Sequence, residues 1–88
     1  MLLEYNEKAV KDILNAADMY NVVFDVSVDE QAKRLFILYK QHRQRLLSRA
    51  RPHDLMEQFS LIARIEMSPE LLEAVKNELA LKKLQGIL

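Results

Sequence analysis

Apolar residues recur at helical spacing along most of the chain, and four helices follow from that periodicity. The first runs from about Asn6 to Tyr20, with Val10, Ile13, Leu14 and Ala17 on one face and Leu3 able to extend the stripe. The second follows Ser27 and Glu30, whose spacing is that of a capping box, and continues to about Ala50 before Pro52. Its core stripe is Val28, Ala32, Leu35, Tyr39, His42 and Leu46, widened by Phe36 and Leu47. Asp54 and Glu57 form a second capping box that opens a third helix ending near Met67, with Leu55, Met56, Phe59, Ile62 and Ala63 facing inward. Ser68, Pro69 and Glu70 then start a fourth helix that reaches Gln85, where Gly86 can supply the left-handed closing residue.

One stretch breaks this rhythm. Asn21 to Val28 is rich in β-branched and aromatic residues and reads as a short strand, yet no second segment offers it a partner. It is expected to be an extended connector over about 21–28, with pairing to a second copy as the alternative. The expected fold is therefore all-α, a small four-helix and mostly antiparallel bundle in one domain spanning 1–88.

Two of these helices have more apolar surface than one stripe uses. Leu61 and Ile65 project away from the inward face of the third helix. On the fourth, Leu72, Val75 and Leu79 make one stripe, while Ala74, Asn77, Leu81, Leu84 and Leu88 make another at alternating spacings of three and four. That second stripe follows heptad spacing and includes one polar residue of the kind that sets register in a helix pair. With Ile37, which stands among cations, these residues form the expected protein interface.

Composition narrows the picture further. A domain of 88 residues buries only about 60% of its unfolded surface, so its margin of stability is thin. The absence of cysteine removes disulfides, thiolate metal sites and cysteine nucleophiles. The longest apolar run, Leu35 to Tyr39, is too short to span a bilayer, and MLLEYNEKAV lacks a signal core. The default expectation is a cytoplasmic protein of bacterial or viral type, without a membrane partner.

Net charge is zero, but its distribution is uneven. Residues 1–30 hold seven acids and two lysines, residues 31–53 hold seven Lys or Arg and no acid, and residues 54–88 hold six acids and four bases. Lys33, Lys40, Arg45, Arg49 and Arg51 could contact nucleic acid or an acidic partner. Lys33, Lys40 and Arg51 fall on the outer side of the helical wheel, Arg34 and Arg45 on another flank, so no single cationic face results. Cations near a helix C-terminus also complement its dipole, and the acidic first helix could neutralise the second. A helix-turn-helix reading of the third and fourth helices fails because Glu70 and Glu73 would meet phosphates. Lipid insertion would need the same stripe that the core uses.

Catalytic chemistry is not recognisable. The single glycine, Gly86, leaves no phosphate-cradling loop, and His42 and His53 match no metal-ligand spacing. No cofactor, metal or small-molecule substrate is expected. The leading expectation is a helical protein–protein interaction module, an adaptor, inhibitor or regulatory subunit whose partner is a second copy of itself or another protein, a homodimer being favoured. A nucleic-acid-binding regulator using the second helix is the alternative, and an enzyme with an unrecognised site comes last.

Overall fold

A computed structural model describes residues 1–20, 26–50, 53 and 55–86. The fold is all-α: among the described residues, helices α1 (Glu7–Tyr20), α2 (Val28–Ala50), α3 (Met56–Ala63) and α4 (Pro69–Leu84) account for nearly all regular structure. The remainder is a two-strand parallel pair, β1 (Leu2–Leu3) with β2 (Glu66–Met67).

Local chemistry places the helix starts. Asn6 accepts from the Ala9 N–H at 2.8 Å and caps α1. Ser27 Oγ accepts from the Glu30 N–H, which is half of the expected capping box. The other half is absent, because the Glu30 carboxylate reaches forward to Arg34 at 3.4 Å. Ser68 caps α4, its Oγ accepting from the Leu71 N–H, with Pro69 in the first turn. Past the other end of α4, Gly86 adopts φ 72°, the left-handed geometry that ends helices.

Two expected boundaries are corrected. Val28 already belongs to α2, and residues 21–25 of the proposed connector lie outside the described residues, as do Pro52 and the Asp54 cap. Leu55 occupies the N-cap position of α3 without a side-chain hydrogen bond. Further on, α3 stops at Ala63 and does not reach Met67. The reason is competition for backbone groups. Glu66 N–H donates to Met1 O at 2.9 Å and Ser68 N–H to Leu3 O at 3.0 Å, so the chain leaves the helix to pair with β1. Pro69 enforces the same outcome, since the residue before a proline avoids helical geometry, and Ser68 has ψ 157°.

Three helices share the core. Ile13 of α1, Leu35 of α2 and Leu71, Val75 and Leu79 of α4 are almost completely buried, joined by Ala32, Phe36 and Ile65. Since β1 and β2 are parallel and lead into α1 and α4, these two helices run side by side in one direction. Meanwhile α4 runs antiparallel to α2. Lys40 donates to Ile65 O near its start, Lys76 meets Asp29 at 3.6 Å farther along, and Lys83 donates to Val26 O near its end. Lys33 also bonds Asp29 at 3.0 Å.

The hydrogen bond from Lys33, assisted by attraction to Lys33 and Lys76, holds the Asp29 carboxyl below its ordinary 3.8. A folded-state pKa below the unfolded value means this pairing helps the fold above about pH 4 and is lost as pH falls through the depressed pKa. The carboxylate is exposed, so the effect on acid unfolding is expected to be small. An Asp29→Asn variant should have a slightly flatter stability profile below pH 4 in an acid titration followed by circular dichroism.

Helix α3 departs from the bundle expectation. None of its residues is buried, and it lies on the C-terminal half of α2. Met56 and Ala63, expected inward, are exposed, and Leu55, Phe59 and Ile62 are only half-buried. Eight residues are too few to supply a continuous stripe, and the core is already closed by α1, α2 and α4. On α2 the expected stripe is buried at Ala32, Leu35 and Phe36 but ends exposed at Leu46.

One core residue is costly. Gln31 is 4% exposed and its Oε1 accepts no hydrogen bond among the described residues. An unsatisfied buried carbonyl costs about 1–3 kcal/mol. Gln31→Met keeps the length and removes the amide, and is expected to raise the melting temperature by roughly 5–15 °C at about 4–8 °C per kcal/mol. A melting curve with no increase would mean that the amide has a partner in solution.

Candidate protein interface

The expected interface residues divide into two places. On α4, Leu81 is 50% and Leu84 85% exposed, Asn77 is exposed and Ala74 half-buried. Asn77, Leu81 and Leu84 line the side of α4 away from Leu71, Val75 and Leu79, while Ala74 packs at the edge of the core, so the helix has apolar residues on both sides but buries only one. Beside Ala74 and Asn77, a shallow cleft continues to Tyr5, itself 51% exposed, and to Glu70 and Glu73. Leu88 lies outside the described residues.

The second place is the hairpin of α2 and α3. Leu61 is 47% exposed and borders a shallow trough with Met1, Arg43, Leu47 and Ile62. Ile37 is 52% exposed on α2. Ile65 is a correction: at 5% exposed it belongs to the core. Its position follows from the end of α3, because Ile65 enters an extended segment in which Ile65 points in, Glu66 out and Met67 partly in.

The cations are similarly divided. Lys40 was expected on the outer side of α2, but its ammonium donates to Ala63 O at 3.0 Å and Ile65 O at 3.2 Å and lies 5.1 Å from the Phe36 ring centroid. It anchors the end of α3. Lys33 is paired with Asp29, while Arg45 and Arg49 are exposed near the end of α2. Arg51 lies outside the described residues. Arg43 lies 5.8 Å from the Tyr39 ring centroid, stacked over a neighbour one turn away.

Sequence reasoning did not identify Lys40 and Gln44 as the clasp of α3. Gln44 Nε2 donates to Phe59 O at 3.0 Å, next to the Lys40 bonds. The spacing of four between Lys40 and Gln44 puts both on one face, but their acceptors are main-chain carbonyls, which leave no mark in a side-chain pattern. His42 is half-buried and His53 exposed, and among the described residues no group of three or more His, Cys, Asp or Glu could hold a metal. No described helix is long and apolar enough to cross a membrane.

No protein-family model matches this chain, and neither a curated protein nor a solved structure is significantly similar to it.

Proposed function

We propose that the protein is an interaction module that pairs with a second copy through the outer stripe of α4. The observation that supports this reading is Ala74, Asn77, Leu81 and Leu84 at heptad spacing, with both leucines at least half exposed. Isolated exposed leucines are ordinary, but an ordered run opposite a filled core face is less so. In a twofold pair the same stripe meets itself, and Asn77 would set the register at modest cost in stability.

Magnitudes keep the pair weak. Complete burial of a leucine contributes about 1.5–3 kcal/mol, and with Leu81 50% and Leu84 85% exposed the four leucines of a dimer have roughly 4–8 kcal/mol left to gain. Lost translational and rotational freedom costs about 4–15 kcal/mol. The surplus is at best about 4 kcal/mol, so dissociation at about 0.1–1 mM is the corresponding expectation once Tyr5 and the nearby cleft add contact area.

The test is solution mass across a concentration series. A shift from 10.3 kDa toward twice that value is expected, abolished in Leu81→Glu with Leu84→Glu while helicity is retained. A parent that stays at 10.3 kDa up to about 1 mM would overturn the pairing. Nucleic-acid binding through α2 is the weaker reading, because Lys33 and Lys40 already serve contacts inside the fold.

A further inference from the structure

The outer face of α4 is laid out symmetrically along its length. Glu70, Glu73, Asn77, Leu81 and Leu84 follow one another at spacings of three, four, four and three, so Asn77 stands at the centre. The two arms on either side of it differ in kind. The N-terminal arm carries the acids and the shallow cleft that Tyr5 and Pro69 share with Glu70, Glu73, Ala74 and Asn77. The C-terminal arm carries the leucines, Leu81 at 50% and Leu84 at 85% exposed, and residues 79–86 contain no acid.

A cleft at one end and exposed leucines at the other match only when two copies run in opposite directions. We infer that the pair is antiparallel about Asn77, with Leu81 and Leu84 of each copy seated over the Tyr5 cleft of the other. This arrangement rests on the self-pairing reading given above. A twofold axis at Asn77 sets Leu84 of one copy opposite Glu70 of the other, and Leu81 opposite Glu73. The two Asn77 amides then meet on the axis, where each offers both a donor and an acceptor.

Charge selects the direction. In a parallel pair leucine would match leucine, but Glu70 and Glu73 would each face their own copy. Lys76 lies 3.4 Å from Glu73, whereas Glu70 forms no ion pair among the described residues. Like charges set against each other across an interface oppose association. A parallel pair also aligns the two helix dipoles and leaves the Tyr5 cleft empty. In the antiparallel pair each acid faces a neutral leucine. The leucines alone make a weak association, so opposed acids are enough to decide between the two arrangements.

The chain has no cysteine, so Gln85→Cys accepts a single nitroxide label. Gln85 is exposed at the C-cap of α4, just past the stripe. Labels eight residues beyond Asn77 in each copy lie about 24 Å apart along an antiparallel pair, at 1.5 Å per residue. In a parallel pair they stand side by side, about 10 Å apart. Electron-spin distance measurement at about 1 mM whole protein, near the expected dissociation constant, separates the two. A distance of about 25–35 Å is expected, lost in Leu81→Glu with Leu84→Glu. A distance below about 15 Å would overturn the antiparallel arrangement while self-pairing stands. Any other defined distance would move the axis away from Asn77 and overturn it as well. No coupling between copies, with the mass held at 10.3 kDa, would remove self-pairing and this arrangement together. Occupancy of the cleft is read from Tyr5→Ala, which removes one wall. Tyr5 is 51% exposed, and the variant should pair at least about threefold more weakly. Unchanged pairing in Tyr5→Ala would overturn the seating of the leucines there.

Discussion

Leu35→Ala is expected to lower the melting temperature by on the order of 10–30 °C and to leave much of the chain unfolded at physiological temperature. Leu35 has no exposed surface and sits in the hydrophobic cluster shared by α1, α2 and α4. Truncating such a leucine costs about 2–5 kcal/mol, the larger values where the cavity cannot collapse. At about 0.05–0.15 kcal/mol per residue, 88 residues have roughly 4–13 kcal/mol in total, so one truncation removes a large share. Ile37→Ala, two positions along the same helix, is the control. Ile37 is 52% exposed, and its truncation is expected to change stability by less than about 0.5 kcal/mol. Thermal unfolding by circular dichroism at fixed concentration compares the two. Similar losses from both would mean that α2 is rotated relative to the core described above.

Lys40→Met is expected to release α3 while the three-helix core stays folded. The ammonium makes two hydrogen bonds to carbonyls at the end of α3 and lies over Phe36. Hydrogen bonds from a charged donor contribute about 1.5–3 kcal/mol each, discounted here because the side chain is only half-buried. A local loss of about 2–4 kcal/mol corresponds to roughly 30- to 1000-fold faster amide exchange. The acceleration should be concentrated at Phe59, Arg64 and Ile65, whose N–H groups bond Leu55 O, Ser60 O and Ile62 O. Amides in the middle of α4 should change much less. Uniform acceleration would identify Lys40 as a support of the whole core, and no acceleration would show that side-chain packing is enough to hold α3.

Much of the fold was legible because helix signals are local. Ser68 followed by Pro69, Ser27 three residues before Glu30, and Gly86 after the last periodic residue each act within one turn, and all three operate in the structure. The inner stripe Leu71, Val75 and Leu79 was likewise readable from spacing alone. Exposure of Leu81 and Leu84 agrees with the surplus apolar run seen in the sequence, because a helix in contact with two neighbours on one side cannot bury the other.

The misreadings are non-local. Ile65 and Met67 fit a continued helix by periodicity, but carbonyls at Met1 and Leu3, more than sixty residues away in sequence, accept the N–H groups of Glu66 and Ser68. Lys40 was placed on a solvent face by the helical wheel, and its actual position depends on where α3 ends. Periodicity thus decided which segments are helices, and local capping signals placed the starts of α2 and α4, since those energies are settled within a few residues. Only the tertiary structure decided which apolar faces meet and which stay open. That choice depends on competition among distant backbone and side-chain groups for a core that three helices suffice to close.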